Sequence, residues 1–347
     1  MRKVLHIDCD CFFAAVEMRE NPQLCQLPIA IGGHSDRRGV ISTCNYPARK
    51  FGIHSAMATA AALKKCPELI LLPGNMALYR DVSQQVMAVI KRYGIAYEQV
   101  SVDEAYLELD PNDSAIDIGN RIRAEVETEV GITVSVGAAP NKFLAKIASD
   151  WNKPNGLFAV KPHKVDEFVS QLEVRKIPGI GPKTAERLAS KGIVLCSDAQ
   201  AYSLLDLVNL FGRTGAALYK RCRGEDEREL SLGRSRKSIS IEHTFSKDLY
   251  LADELNKGAE TLWDKFLERT RKANIDYRGL SPFVKVKFND FSQTTLADQL
   301  LEPSLDSFRQ LLQQARLRHD SDEIQGVRLI GIGGRCPDVS EQQLALF

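Results

Sequence analysis

The chain alternates between short apolar runs and longer stretches in which apolar residues recur at helical spacing. Val4-Leu5-His6-Ile7-Asp8 reads as a buried strand, and residues 11–18 as a helix start with Phe12, Ala15 and Val16 on one side. Residues 28–33 and 39–43 read as short strands linked through glycines, and 45–51 and 56–65 as helices. Residues 76–93 form an amphipathic helix carrying Val82, Val86, Val89 and Ile90. Over 100–109 the pattern predicts two strands with a tight turn at Asp103-Glu104. A helix over 116–130, a strand over 133–137, a helix over 141–149 and a strand over 157–160 follow. With 11–73 set aside as an insertion, the order is βαββαβ, the ferredoxin-like pattern. Residues 166–230 are mostly helical around Ile177-Pro178-Gly179-Ile180-Gly181-Pro182. Beyond a short polar stretch, strands at 238–244, 283–288 and 326–333 are separated by helices at 253–273 and 304–318. The class is therefore α+β with several domains.

Two acidic runs stand at the ends of strand-like segments. One is Asp8 with Asp10 after the first strand; the other is Ser101-Val102-Asp103-Glu104-Ala105-Tyr106. The ferredoxin-like order brings the first strand beside the central hairpin, so Asp8 can approach Asp103 and Glu104. Converging carboxylates need a compensating cation, and hard divalent ions take oxygen ligands. Two magnesium ions held by Asp8, Asp103 and Glu104 would suit in-line phosphoryl transfer. A nucleotide cyclase could use the same geometry, and solvated strand-end acids are the plain alternative.

Neighbouring residues narrow the substrate. Phe12 and Phe13 follow the first carboxylate, and a ring under a sugar would disfavour a 2′-hydroxyl by clash and by an unmet hydrogen bond. Thr43, Tyr46 and Arg49, with Lys153, supply hydroxyls and cations suited to a triphosphate. Gly179 and Gly181 open a helix–hairpin–helix turn whose backbone N–H groups can meet a phosphate, reinforced by Lys183 and Arg187. Arg234, Arg236 and Lys237 form a basic linker suited to phosphates. The ending Gln343-Leu344-Ala345-Leu346-Phe347 offers apolar groups to a partner's pocket.

Composition bounds these readings. The 347 residues suit two or three domains, and 44% hydrophobic with 26% charged residues is an ordinary soluble balance. No apolar run approaches the roughly 20 residues of a membrane span, and the opening strand pattern leaves no place for a leader, so a cytoplasmic protein is expected. The 8 cysteines form no CxxC pair and the 6 histidines no HxxxH pair, which favours reduced thiols over zinc or disulfides. Net charge is only +1, yet residues 161–240 hold 15 Lys plus Arg against 10 Asp plus Glu. A basic segment beside an acidic remainder suits a grip on a polyanion.

At these residues the sequence resembles the Y-family DNA polymerases of the DinB type over essentially the whole chain. Residues 8–17 are similar to the family's first catalytic motif and 101–106 to its second. Residues 39–43 with 45–52 are similar to its nucleotide-contact segment, and 142–150 with 152–156 to a fourth motif. The resemblance implies a right-hand arrangement. Its ferredoxin-like palm would be 1–10 with 74–165, and small fingers would occupy 11–73. A helical thumb with the helix–hairpin–helix would follow at 166–230 and a linker at 231–240. An α/β little finger at 241–340 and a clamp-binding tail at 341–347 complete it. It implies Asp8, Asp103 and Glu104 as magnesium ligands, with the Cys9 carbonyl beside them and Phe13 as steric gate. Phe12, Thr43, Tyr46, Arg49 and Lys153 would contact the nucleotide. Gln343, Leu344, Leu346 and Phe347 would dock on a sliding clamp. A monomer acting on primer–template DNA with deoxynucleoside triphosphates, at low fidelity and without proofreading, is expected. Residues 110–119 are short for the family, which touches only a surface loop. A non-catalytic DNA-binding scaffold is the rival that an intact carboxylate set disfavours.

Overall fold

The computed structural model describes residues 2–233, 235–319 and 325–337. Arg234 and the tail residues Gln343, Leu344, Leu346 and Phe347 lie outside the described residues. The chain forms two compact units: residues 1–32, 41–57 and 62–233, and residues 33–40, 58–61 and 234–347.

The first unit begins with β1 (Val4–Cys9) and α1 (Phe12–Glu20). A small layer follows, built from β2 (Ile29–Gly32), β3 (Ile41–Cys44), α2 (Tyr46–Arg49), the part of α3 (Thr59–Lys65) from residue 62 on, and β4 (Ile70–Leu72). Its sheet order is β3-β2-β4, so the insertion has a third strand that its short apolar run did not announce. Then come α4 (Met76–Ile90), β5 (Ala96–Gln99), β6 (Glu104–Glu108), α5 (Ala115–Glu125), β7 (Val134–Ala139), α6 (Lys142–Trp151) and β8 (Leu157–Ala159). These strands form one sheet in the order β5-β6-β1-β7-β8. Its first four members are the ferredoxin-like set, with β1 antiparallel to β6 and to β7. The fifth, β8, lies parallel to β7, and α6 makes the crossover.

The central hairpin corrects one expectation. Its strands are 96–99 and 104–108 rather than two halves of 100–109, and residues 100–103 are the turn. Val100 and Val102 look like strand residues. Ser101 overrides them, because its Oγ accepts the N–H groups of Asp103 at 3.2 Å and Glu104 at 3.1 Å and closes a local turn.

Side chains alternate across β1. Leu5 and Ile7 join the core under α1, α4 and α5, while Val4 joins the core on the other face, under α6. Contact on that face is close. A Cβ on Gly137 would lie 2.0 Å from the Ala145 carbonyl oxygen, so only glycine lets α6 seat on β7. Asn141 caps α6, its side chain accepting from the Leu144 N–H at 3.0 Å.

Helices α7 (Val165–Ser170), α8 (Pro182–Ala189), α9 (Cys196–Gln200), α10 (Leu204–Phe211) and α11 (Arg213–Arg221) extend that second core. The helix expected before the Pro-Gly-Ile-Gly turn is a single 3₁₀ turn, Val174–Lys176. The segment after α11 is fixed to α6 by Asp226. This buried carboxylate accepts from the Phe143 N–H at 3.0 Å and pairs with Arg221 and Arg228, each at 2.8 Å.

The second unit is a sheet in the order β11-β10-β12-β9, made by β9 (Ser238–Leu249), β10 (Ser281–Phe288), β11 (Gln293–Ala297) and β12 (Val327–Arg335). Strict alternation along β10 turns Val284, Val286 and Phe288 onto α12 (Ala252–Lys272) and α13 (Leu305–Arg316). Lys285 and Lys287 fall on the opposite face, where Lys287 and Arg328 stack on Phe291.

Burial raises the Asp226 pKa, but the bonds from Arg228 and Arg221 outweigh it and hold the carboxyl at about 2. The stabilisation is therefore complete above the unfolded value near 4 and is lost as pH falls through about 2. Asp226→Asn should cost roughly 2–4 kcal/mol at neutral pH. Chemical denaturation of both proteins at descending pH should show that gap closing; a gap constant down to pH 2 would disprove the account.

Candidate active site

Register decides which acids meet. Asp8 on β1 lies directly opposite Glu104 on β6, and the Cys9 N–H donates to the Asp103 carbonyl at 2.9 Å. Ligand atoms of His6, Asp8 and Glu104 all lie within 4.8 Å of one another. The Asp103 carboxylate takes a short hydrogen bond from the Ser101 hydroxyl and lines the same cleft as Asp8.

Two lysines balance this charge. Lys153, in the loop after α6, places Nζ 2.6 Å from Asp8 Oδ1 and 3.0 Å from Asp150. Lys146 on α6 makes a short ion pair with Glu104. Behind them His6 is fully buried, with Nε2 3.3 Å from Glu104 Oε2 and Nδ1 2.8 Å from Ser149 Oγ. The His6 ring and the Lys146 ammonium outweigh burial and hold the Glu104 carboxyl down at about 2. Burial raises Asp8, with Lys153 opposing. His6 is pushed down by burial, so it sits as a neutral imidazole. Burial pushes the Cys11 thiol up to about 12 and raises Cys9 well above its ordinary value, which removes thiolate chemistry from the cleft.

The cleft has a volume of about 190 Å³ and is lined by Asp8, Cys9, Cys11, Phe12, Phe13, Ser42, Thr43, Arg49, Ser55, Asp103 and Lys153. The fold thus gathers most of the residues read as metal or nucleotide contacts. The two phenylalanines divide their work. Phe12 is 3% exposed and belongs to the core, whereas Phe13 is half-buried and stacks on Tyr79 at 4.4 Å between ring centres. The Tyr79 hydroxyl donates to Glu17 at 2.5 Å, one helical turn beyond Phe13, which fixes the ring beneath it. The Arg49 guanidinium lies 4.8 Å over the Tyr46 ring, as their spacing of three on one helix requires.

Outside the cleft, Gly179 takes a φ of +95° and nothing lies within 4 Å of a Cβ placed on it or on Gly181. The turn therefore presents open backbone at the start of α8, with Lys183 exposed beside it. Arg187 is exposed as well, donating to the Leu210 carbonyl and lying over the Phe211 ring. Arg236 and Lys237 are exposed.

Sequence reading missed Lys146, His6, Ser149 and Tyr79. A signal existed for the helix. Lys142, Lys146 and Ser149 interrupt an apolar run at intervals of four and three, a polar stripe on a face that otherwise reads as core.

Oxygen donors converging at strand ends, already drawing an ammonium to Asp8, suit a divalent cation. The comparisons accord with this geometry. The impB/mucB/samB family model matches residues 7–150, a DNA polymerase-iota thumb domain model residues 175–226, and the impB/mucB/samB C-terminal domain model residues 236–346. The chain is 46% identical over 352 residues to DNA polymerase IV of Ectopseudomonas mendocina (strain ymp), covering 100% of this chain and 99% of that one. It is 45% identical over 344 residues to DNA polymerase IV of Shewanella oneidensis, covering 98% and 96%. Among solved structures it is similar to a Y-family DNA polymerase chimera of Dbh and Dpo4, with TM-score 0.84, 27% identity and coverage of 96% and 98%. An insertion ternary complex of Dbh DNA polymerase matches with TM-score 0.67 and 26% identity over 96% and 98%.

Lys153 competes with a cation for Asp8, so Lys153→Ala should bind Mn²⁺ more tightly in the absence of nucleotide, by roughly three- to tenfold. Electron paramagnetic resonance of free Mn²⁺ measures this, and weaker binding by the variant would refute the competition.

Proposed function

The chain belongs to the impB/mucB/samB family, the Y-family DNA polymerases of the DinB type, and we propose from that premise how its residues divide the work. It is a DNA-directed DNA polymerase of the translesion class, a nucleotidyltransferase that extends a primer opposite damaged template bases. The observation that carries the reading is the cross-strand pair of Asp8 and Glu104, with Asp8 and Asp103 lining a cleft that Phe13, Thr43 and Arg49 also line.

Asp8, Asp103 and Glu104, with the Cys9 carbonyl, would hold two magnesium ions. Bound there, the ions supply the charge neutralisation that phosphoryl transfer needs and favour the ionised primer hydroxyl. Thr43, Tyr46, Arg49 and Lys153 hold the triphosphate, and Lys153 exchanges Asp8 for a phosphate oxygen when nucleotide enters. The primer 3′-hydroxyl attacks the α-phosphate and pyrophosphate leaves. Phe13, pinned by Tyr79, packs under the sugar and leaves no room for a 2′-hydroxyl; the edge of Phe12 completes that wall.

The remaining parts serve the polyanion. We assign the palm to 1–10 and 74–165, the fingers to 11–73, the thumb to 166–230 and the little finger to 241–340. Gly179, Gly181 and Lys183 meet a DNA backbone through open N–H groups and charge. Arg187, exposed near the turn, reinforces it, and Arg236 and Lys237 add phosphate contacts, as Arg234 would. The tail, 341–347, docks on a sliding clamp. The protein works as a monomer in the cytoplasm. A primer-extension assay carries the test. Asp103→Ala should lose at least about a hundredfold in rate. Phe13→Val should accept ribonucleotides about ten- to a hundredfold better. Removal of 343–347 should spare basal extension and abolish stimulation by the clamp. Equal extension by Asp103→Ala and the parent would sink the assignment, and cyclised nucleotide formed without primer–template would favour a cyclase.

A further inference from the structure

The acidic run after β1 contains a carboxylate that this chemistry leaves unused. Asp10 is 2% exposed and turns away from the cleft into the protein. Its carboxylate accepts from Thr133 Oγ1 at 2.8 Å, Ser135 Oγ at 2.8 Å, the Asn155 N–H at 2.7 Å and, more loosely, the Tyr46 hydroxyl at 3.4 Å. Its own N–H donates to the Thr133 carbonyl at 3.1 Å. A buried carboxylate is tolerated when hydrogen bonds satisfy it, and here donors from three segments do so.

Two of those segments carry proposed triphosphate contacts. Asn155 belongs to the loop that delivers Lys153 to the cleft, and Tyr46 opens α2, which also carries Arg49. Thr133 and Ser135 anchor the carboxylate to β7. Ser135 Oγ also accepts the Gly156 N–H at 3.3 Å, so the loop is held at two successive N–H groups. Arg123 grips the far side, donating to Asn155 Oδ1 at 3.2 Å and 3.0 Å. Asn155 itself has φ +49°, a left-handed conformation that an L residue adopts at a cost, so these contacts impose the loop's path.

We propose that Asp10 is a positioning residue for the incoming nucleotide: through the Asn155 N–H and the Tyr46 hydroxyl it fixes Lys153 and α2 on two sides of the cleft, so that their groups converge on one triphosphate. The proposal rests on the reading of Lys153 and Tyr46 as triphosphate contacts. It assigns Asp10 no contact with substrate or cation. An amide in its place keeps one oxygen for the Asn155 N–H but loses the charge that strengthens all four bonds, and its NH₂ meets the Ser135 and Tyr46 hydroxyls, which must turn from donor to acceptor.

Steady-state primer extension with the full chain tests it, alongside equilibrium binding of primer–template. Asp10→Asn should raise KM for the deoxynucleotide about tenfold, with kcat and primer–template affinity within about twofold of the parent. In a Tyr46→Phe, Lys153→Ala background the same change should shift KM by less than about twofold, since its route to the triphosphate is gone. An unchanged KM overturns the proposal. So does a matching fall in kcat and in primer–template affinity, or a full tenfold increment in the doubly substituted background. If Asp10→Asn does not fold, Thr133→Val with Ser135→Ala decides, because it keeps the carboxylate but removes two of its anchors. That variant should raise KM about threefold, and an unchanged KM overturns the idea. A normal KM in Lys153→Ala alone would mark the failure of the triphosphate assignment itself, and the positioning role would fall with it.

Discussion

Two carboxylates facing each other across adjacent strands are the constraint around which this protein is arranged. The β1–β6 register sets Asp8 opposite Glu104 and brings Asp103 alongside. Like charges directly opposite on a sheet repel, and burial strengthens the repulsion. The fold answers with cations from one source. Lys146 comes from α6 and Lys153 from the loop that follows it. That helix can deliver them only because Gly137 lets it lie against β7.

The polar stripe of α6 shows how far this dependence reaches. Lys142 pairs with Glu98, Lys146 with Glu104, and Ser149 with His6. Three successive polar positions on one helix face thus meet three polar positions on three strands. The first pair also supports the chain beyond the helices, since Glu98 Oε2 accepts the Ser231 N–H at 2.8 Å. Asp226 fixes the Phe143 N–H on the same helix. One element therefore pairs with the strand-end carboxylate and secures the helical part of the unit to the sheet. Burying these charges in pairs adds little net stability, yet removing one partner from a pair is costly. Such an arrangement specifies a geometry more than it strengthens a fold.

The aromatic lining of the cleft follows the same economy of means. Phe12 and Phe13 are adjacent, and helical geometry sends them in different directions: one into the core, the other onto Tyr79 at the cleft wall. Thr43 and Arg49 come from the small insertion, which offers a short sheet and short helices.

Local pattern in the chain located most elements, because apolar spacing is a property of neighbours and helix and strand read it directly. The βαββαβ order, Asp8 at a strand end and the Tyr46–Arg49 pair followed from it. Where a side chain competed with the pattern, reading failed: Val100 and Val102 pointed to strand, and the Ser101 hydroxyl made a turn. Asp10 stood one residue past the strand, and nothing local said that it would face inward. Its partners Thr133, Ser135 and Asn155 lie more than 120 positions away in the chain. The same is true of Lys153 against Asp8 and of Ser149 against His6. The sequence by itself determined which residue types stand at which element ends. The tertiary structure alone decided which charges meet, because strand register and the close seating of one helix, rather than distance along the chain, set the separations over which electrostatics acts.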